Sequence, residues 1–223
     1  MTYSLICFDL DGTLTDSGVG VANSVAHAVA ALGLPPLSPA QLRSFIGPPL
    51  QESFAGLGLP ATGVQQAVAS YREYFTDTGL YENEVYEGIV PLLTALRDAG
   101  SRLAVATSKP TTFARRILDH FALSAYFTQV QGAELDGRRR HKDQVLTEVL
   151  TWAELPPRSS AVMVGDRAED VRGAQRVGIA CIGAGWGYAV PGELEAAGAA
   201  AIAATPERLR ECLLGPTINR PGA

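Results

Sequence analysis

Two carboxylates stand directly after the first apolar run of the sequence. Leu5 to Phe8 form a short run of the kind that builds a buried strand, and Asp9 and Asp11 follow it at spacing i, i+2. Ligands of open α/β sheets bind beyond the carboxyl ends of the strands. The two aspartates therefore stand where a site is expected. A simple Asp-Gly turn, formed by Asp11 and Gly12 only to end the strand, is the plainer alternative.

Other polar groups follow apolar runs later in the chain. One such run ends at Ala106 and another at Gly165, and a helix pattern opens between them. The polar residues that follow these runs or open that helix are Thr107, Ser108, Lys109, Lys142, Asp166 and Asp170. Because parallel strands end at the same edge of a sheet, we expect these side chains to meet Asp9 and Asp11 there.

Several acids with one hydroxyl and one cation make a place for a divalent metal ion and a phosphate group. Mg²⁺ suits such a place because it prefers carboxylate oxygen and binds through one or two carboxylates, waters and a substrate phosphate. Asp9 and Asp166 are the first expected ligands. Without a cation, clustered carboxylates repel one another and their pKa values rise, so a bound metal ion is expected to keep them ionised.

The composition limits the possible partners. The chain has 223 residues, of which 47% are hydrophobic and 18% charged, with a net charge of −5. This mixture is typical of globular proteins, and the length suits two unequal domains. An acidic chain has no basic field to attract nucleic acid or a membrane surface, so a small solute is the expected partner. The basic run from Arg138 to Lys142 is more typical of a solvated loop than of a nucleic-acid surface.

The cysteines and the N-terminal residues favour a cytoplasmic location. Cys7, Cys181 and Cys212 are odd in number and far apart, which predicts reduced thiols. The residues from Met1 to Leu5 lack the basic region and cleavage site of a signal peptide, and no apolar run is long enough to cross a membrane.

Short apolar runs alternate with longer helical patterns through most of the chain, which predicts an α/β fold with a parallel sheet wrapped by helices. The expected strands are Leu5 to Phe8, Arg102 to Ala106, Tyr126 to Val130, Ala161 to Val164, Ile179 to Ile182 and, more weakly, Ala200 to Ala203. The expected helices of this part are residues 91–99, 112–120, 141–154, 168–177 and 206–213. The tail, residues 215–223, is rich in proline and glycine and is expected to be flexible.

Residues 16–85 break the alternation because they show helical patterns and no strand pattern. A first helix is expected from Asp16 or Ser17 to Gly33, and a second begins at Ser38 with a proline and a capping box. A last helical stretch covers residues 63–75. We therefore expect a sheet domain of residues 1–15 and 86–214, with 16–85 as an inserted helical domain.

In these motifs the sequence resembles the haloacid dehalogenase superfamily, and within it the phosphoglycolate phosphatase-like branch that also includes 5′-nucleotidase-like members. The first motif is Asp9-Leu10-Asp11-Gly12-Thr13, the second is Thr107, the third is Lys142 and the fourth is Gly165-Asp166-Arg167-Ala168-Glu169-Asp170. The resemblance covers nearly the whole chain. It implies a Rossmann-like, doubly wound core with a helical cap inserted after the first strand.

The resemblance also implies a phosphatase that works through a phospho-aspartate. Asp9 is then the nucleophile, and Asp11 protonates the leaving oxygen and later activates water. Thr107 and Lys142 are expected to hold the transferring phosphoryl group. The expected Mg²⁺ ligands are Asp9, Asp11 through its backbone carbonyl, Asp166 and, from nearby, Asp170.

A small phosphorylated metabolite is the expected substrate. The residues expected to contact it are Gly12, Thr13 and Ser108 of the core and Arg43, Gly47 and Pro48 of the cap. Lys109 is divided between contact with phosphate and exposure to solvent, and Trp186 and Tyr188 are divided between covering the edge of the core and substrate contact. Neither the leaving group nor the choice between monomer and homodimer follows from these motifs.

Two alternatives to a phosphatase stay open. A phosphosugar mutase of the same superfamily would use the same motifs but return the phosphoryl group to the substrate. A binding protein that keeps the fold without catalysis is the other. A dehalogenase is disfavoured because cleaving a carbon–halogen bond needs no acid at Asp11 to protonate a leaving alkoxide.

Overall fold

A computed structural model describes residues 3–154 and 158–215. Of the tail that was expected to be flexible, residues 216–223 lie outside the described residues. Within the described ranges, no helix has both the length and the hydrophobicity needed to cross a bilayer.

The core is a parallel sheet of six strands. They are β1 (Leu5–Phe8), β4 (Arg102–Pro110), β5 (Gln129–Ala133), β6 (Ala161–Gly165), β7 (Ala180–Ala184) and β8 (Ala201–Ala203), in the order β5-β4-β1-β6-β7-β8. All neighbouring strands pair in parallel, and β1 pairs with β4 on one side and β6 on the other. The predicted doubly wound α/β sheet is confirmed. Asp9 directly follows β1 and therefore lies near the centre of the carboxyl edge of the sheet.

Helices cover both faces of the sheet. On one face lie α5 (Ile89–Asp98), α6 (Thr111–His120) and α10 (Pro206–Leu214), and on the other α7 (Lys142–Ala153), α8 (Ala168–Arg176) and the short α9 (Glu193–Ala197). Alternate residues of β1 explain the division, because Ile6 and Phe8 pack with the first set whereas Leu5 and Cys7 pack with the second. Burial on both faces is why the strands appear in the sequence as continuous apolar runs.

One strand exists but was predicted at the wrong position. The sequence predicted Tyr126 to Val130, but Ser124–Tyr126 form a 3-10 turn and β5 spans Gln129–Ala133. Pairing begins where the amide of Thr128 donates to the carbonyl of Leu103 at 2.8 Å. The aromatic pair at 126–127 packs against the core from outside the sheet, so its hydrophobicity reports contact rather than a strand.

The block of residues 16–85 carries four α-helices. They are α1 (Gly18–Ala31), α2 (Pro39–Arg43), α3 (Leu50–Ala55) and α4 (Ala61–Tyr74), and a π-helical turn, Phe75–Gly79, extends α4. Helix α2 begins as predicted, because the Ser38 hydroxyl accepts a hydrogen bond from the Gln41 backbone amide, and the Ser38 backbone amide donates one to Oε1 of Gln41. Helix α3 was not predicted, since its six residues are too few to show a helical period.

Two short strands join this helical block to the core. They are β2 (Thr15–Asp16) and β3 (Glu84–Val85), and they pair antiparallel, with Asp16 opposite Glu84. Strands of two residues have no alternation to detect, which is why the sequence showed no strand pattern here. The β2–β3 pair begins four residues after Asp11, so the helical block leaves and rejoins the core beside the predicted nucleophile.

Candidate active site

A buried lysine joins two of the predicted acids. The Lys142 ammonium, at the start of α7, lies 2.9 Å from Oδ1 of Asp9 and 2.7 Å from Oδ1 of Asp170, and it donates to the carbonyl of Ala106 at 2.9 Å. All three charged side chains are buried. Burial opposes the charge of Lys142, but the carboxylates of Asp170 and Asp9 outweigh it and raise the lysine pKa. One fixed cation therefore links the end of β1 with the first turn of α8.

The Asp166 carboxylate, at the end of β6, is held by two hydrogen bonds. The Thr13 hydroxyl donates to Oδ1 at 3.2 Å, and the Tyr188 amide donates to Oδ2 at 2.8 Å. Burial raises the pKa of Asp166 well above its usual value, and the charges of Asp170 and Asp9 add to the rise. Burial likewise raises the pKa of Asp9 to about 6 against the opposing charge of Lys142.

Two glycines allow the backbone to approach Asp166. Gly12 has a φ of +82°, and a Cβ placed there would lie 2.2 Å from Oδ2 of Asp166. A Cβ on Gly187 would lie 2.3 Å from the Asp166 Cβ. Any side chain at either position would displace this carboxylate, so the glycines of the first motif and of the loop after β7 shape the acid cluster.

Three carboxylates form a candidate cation site. One oxygen each from Asp9, Asp166 and Asp170 can be chosen so that all three lie within 4.8 Å of one another, and all three residues are buried. Lys142 is the one cation that pairs with them among the described residues, so the cluster keeps an excess of negative charge. An all-oxygen donor set with excess negative charge fits a hard divalent cation.

Asp11 makes a separate ion pair. Its Oδ1 lies 2.9 Å from the Lys109 ammonium, which also sits 4.3 Å from the centre of the Phe75 ring. The Asp11 side chain thus stands apart from the acid cluster, and its predicted metal contact through the backbone carbonyl stays a prediction. Lys109 and Lys142 are the only two lysines in the sequence, and both pair with predicted catalytic acids.

A cleft opens above these acids between the core and the helical block. Five predicted residues line it together with Asp9 and Asp11, namely Thr107, Ser108, Lys109, Gly47 and Pro48. The amide of Lys109 donates to the Thr107 hydroxyl at 3.2 Å, which fixes the last residues of β4. The structure therefore brings the first two motifs and the Gly47 turn of the cap to one space.

Three predicted substrate contacts lie elsewhere. Gly12 and Thr13 pack behind Asp166 and do not line the cleft. Arg43 is also absent from the lining, since its guanidinium donates to the Gly187 carbonyl at 3.3 Å and lies 5.1 Å from the centre of the Tyr188 ring. Arg43 lies in the cap as predicted, but the loop that it contacts, at Gly187 and Tyr188, follows about 140 residues later in the sequence.

The loop after β7 connects the acid cluster to strand β2 of the β2–β3 pair. The Tyr188 hydroxyl donates to Asp16 of β2, and the Trp186 indole donates to the Thr13 carbonyl at 3.1 Å. These contacts give both aromatic residues a structural role beside the site. Arg167 reaches the cap as well, where it donates to the Ile46 carbonyl.

The cap, helix α6 and one core loop supply lining residues that sequence reasoning missed. Four aromatic rings contribute an apolar wall, and two arginines stand beside it. The missed residues are Phe45, Tyr71, Phe75, Phe113, Arg72 and Arg140. Two sequence signals covered four of them, namely the run Tyr71-Arg72-Glu73-Tyr74-Phe75 within a helical pattern and the basic run from Arg138 to Lys142, but neither tells which side chains meet the site.

The pattern of the haloacid dehalogenase-like hydrolases matches residues 6–184, which span every motif named above. The chain belongs to this family. The predicted resemblance is confirmed, and with it the assignment of the protein as a hydrolase whose relatives include phosphatases.

Three curated relatives extend over most of the chain. A 5′-nucleotidase of Pseudomonas aeruginosa is 46% identical over 197 residues, covering 88% of this chain and 89% of the relative. Tyrosine-protein kinase PtkA of Mycobacterium tuberculosis is 42% identical over 212 residues, covering 94% and 72%. Phosphoglycolate phosphatase 1 of Pseudomonas aeruginosa is 31% identical over 192 residues, covering 82% and 70%.

A solved structure supports the fold. The crystal structure of a predicted phosphatase from Clostridium acetobutylicum superposes with a TM-score of 0.93 at 37% identity, covering 97% of this chain and 100% of that one. Both the Rossmann-like core and the helical insertion are included in that coverage.

The central lysine permits a stability test. Lys142→Met is expected to lower the free energy of unfolding by about 3 kcal/mol, because it leaves the buried charges of Asp9 and Asp170 without their partner. Urea denaturation in metal-free buffer measures the change. Arg210→Met, at an exposed arginine of α10, serves as the control and should change it by less than about 0.5 kcal/mol. An unchanged urea midpoint for Lys142→Met would contradict the ion-pair assignment.

Proposed function

We propose that the protein is a magnesium-dependent phosphatase that hydrolyses a small phosphomonoester by way of a phospho-aspartate on Asp9. The observation that carries the proposal is the buried cluster of Asp9, Asp166 and Asp170 with one fixed cation, Lys142, and a cleft that Asp9 of this cluster lines. The acids suit a divalent metal ion, and the cleft suits a phosphorylated ligand.

In the first half-reaction, an oxygen of Asp9 forms a bond to phosphorus while the bond from phosphorus to the leaving oxygen breaks. Asp11 donates a proton to that oxygen, so the alcohol departs neutral. In the second half-reaction, water gives a proton to Asp11 and attacks phosphorus. The Asp9 carboxylate and inorganic phosphate are released, and both aspartates return to their starting states.

The surrounding groups hold the phosphoryl oxygens. Thr107 lines the cleft beside Asp9 and offers a hydroxyl donor, and Lys142 orients the Asp9 carboxylate through its ion pair. Ion pairing with Lys109 positions Asp11 at the cleft wall. A bound Mg²⁺ would supply further positive charge to offset the phosphate and the acids.

A phosphate-release screen tests the proposal. The enzyme is incubated with Mg²⁺ and a panel of phosphomonoesters, including an aryl phosphate, phosphoglycolate and the nucleoside 5′-monophosphates, and inorganic phosphate is measured. Release from at least one small ester is the expected result. No release from any of them would sink the proposed function.

A second candidate is transfer of the phosphoryl group to an acceptor other than water. The relative named tyrosine-protein kinase PtkA favours this candidate, because a phospho-aspartate can pass its phosphoryl group to any hydroxyl that replaces water. A phosphosugar mutase would use the same step with a sugar hydroxyl. Labelled phosphate separates the cases, since a hydrolase releases it as inorganic phosphate whereas a transferase leaves it on a peptide tyrosine or a sugar.

The cap is proposed to limit substrate size. It leaves and rejoins the core at the β2–β3 pair, and its Gly47 turn lines the cleft, so a lid that closes there would exclude water and large ligands. Small esters are expected to exceed a folded phosphoprotein in kcat/KM by at least about 100-fold. Equal rates for both would show that the cap is not a size filter.

The location and partners follow as proposals from the same features. Cys7 and Cys181 are free and buried, as expected for thiols kept in the reducing cytoplasm. The partner we propose is a small phosphorylated metabolite, without nucleic acid or membrane.

A further inference from the structure

The charged residues that line the cleft are paired, with one exception. Asp9 pairs with Lys142, Asp11 with Lys109, Glu134 with Arg139 and Arg140 with Glu52. Arg72 of helix α4 also lines the cleft. Among residues 3–154 and 158–215, no carboxylate oxygen lies within 4.0 Å of the Arg72 guanidinium, which is the distance limit for an ion pair.

The Arg72 guanidinium keeps most of its donors unused. Its Nη2 donates to the carbonyl of Leu135 at 2.9 Å, which is its one hydrogen bond within the described part of the chain. A guanidinium carries five N–H donors in a planar fork. The bond to Leu135, in the loop after β5, holds the group in place but leaves donors free to bind a ligand.

Partial burial makes the unpaired positive charge of Arg72 less favourable than it would be in open solvent. Arg72 is half-buried, and burial lowers its pKa, which means that its surroundings oppose the positive charge. The neighbouring Tyr71 is buried and stacks on Phe75 at 5.4 Å, so this turn of α4 is fixed against the cleft. A negatively charged ligand would offset the cost and use the remaining donors.

We propose that Arg72 binds a second anionic group, a carboxylate or phosphate, carried by the leaving group of the substrate. The proposal rests on the proposed phosphatase function, in which the transferred phosphate lies at Asp9. Arg72 then binds the second anionic group at the other end of the same molecule. The apolar wall of Phe45, Phe75 and Phe113 contacts the carbon skeleton between the two anions.

Matched pairs of substrates test the inference. Each pair differs in whether the leaving group carries a second anion, and the pairs increase in length. They are phosphoglycolate with ethyl phosphate, 3-phosphoglycerate with glycerol 3-phosphate, and adenosine 3′,5′-bisphosphate with adenosine 5′-monophosphate. In at least one pair, wild-type enzyme is expected to prefer the more anionic member by about 10- to 100-fold in kcat/KM.

Three variants assign that preference to Arg72. Arg72→Gln should remove most of it, mainly through KM of the anionic member, and Arg72→Lys should retain part of it because the charge remains. Arg97→Gln is the matched control. Arg97 also donates to one backbone carbonyl, that of Ala125 at 3.1 Å, but it is exposed on α5 and does not line the cleft. This control should leave the preference unchanged.

An aryl phosphate separates failure of this inference from failure of the proposed function. If no variant and no wild-type enzyme releases phosphate from it, the phosphatase proposal fails. If hydrolysis proceeds but wild-type enzyme prefers no anionic member, or Arg72→Gln keeps the preference, the Arg72 inference is overturned. If Arg72→Gln does not fold, Arg72→Lys decides the matter, because it should lose part of the preference, and a variant that keeps all of it overturns the inference.

Discussion

Asp9→Asn is expected to lower kcat by about 10⁴-fold or more, because the amide keeps the shape of the side chain but loses the charged oxygen that attacks phosphorus. Asp9 is buried at the end of β1, where its Oδ1 already accepts the amide of Leu10 at 2.8 Å and the ammonium of Lys142. These contacts fix the carboxylate, so the loss should fall on kcat rather than on KM.

Steady-state phosphate release measures the effect, with Asp98→Asn as the control. Asp98 is an exposed acid at the end of α5, outside the lining of the cleft, and its replacement should leave the rate within about twofold. A beryllofluoride adduct on Asp9 in wild-type enzyme would identify the attacking oxygen directly. Retention of a tenth of the wild-type rate by Asp9→Asn would rule out a nucleophile at this position.

Chelation of the metal ion is expected to lower turnover by about 10³-fold, and added Mg²⁺ should restore it. The physical reason is the acid cluster, in which Asp9, Asp166 and Asp170 meet with Lys142 as their one paired cation among residues 3–154 and 158–215. A phosphate dianion added to this cluster would be repelled without further positive charge. Ca²⁺ should substitute poorly, because its longer bonds and higher coordination number change the site geometry.

Asp166→Asn tests the same site without chelator. It is expected to weaken Mg²⁺ binding by about 10- to 100-fold in calorimetric titration, whereas Asp98→Asn should not. Circular dichroism of the chelated enzyme must show that it stays folded, so that the loss of rate reports the metal and not unfolding. Full turnover in EDTA would falsify the metal-dependent site.

The core of the site could be predicted because parallel strands end at one edge. Asp9 follows β1, Thr107 lies near the end of the predicted β4 run and Asp166 follows β6, so local apolar runs were enough to bring them together. Lys142 was predicted from its place at the start of α7. In each case the side chain lies within a few residues of an element whose position is set by its own hydrophobicity.

The cap side of the site could not be predicted in the same way. Whether Arg43 or Arg72 meets the cleft depends on how helices α2 and α4 are rotated against the core. The residues that these arginines contact are far away in sequence, namely Tyr188 for Arg43 and the Leu135 carbonyl for Arg72. Helical periodicity identifies a buried face but does not say which partner buries it.

The shift of β5 has a similar origin. The aromatic residues at 126–127 made that segment the most strand-like in the interval, yet the 3-10 turn moves the strand three residues onward to Gln129. Edge strands have one neighbour and tolerate polar residues such as the two glutamines of β5. Hydrophobicity is therefore a weaker guide at the sheet edge than at its centre.

The β2–β3 pair makes the molecule modular. Because Asp16 lies opposite Glu84, the whole insertion begins and ends in adjacent backbone segments, and the loop that holds Asp9 and Asp11 closes on itself through the Gly12 amide and the Thr15 carbonyl at 2.8 Å. We expect that another insertion that supplies the same two ends could replace residues 17–83 while the loop that carries Asp9 and Asp11 keeps its geometry. Exchange of this segment between relatives is therefore a natural route by which one reaction acquires new substrates, both in evolution and in the construction of chimeric enzymes.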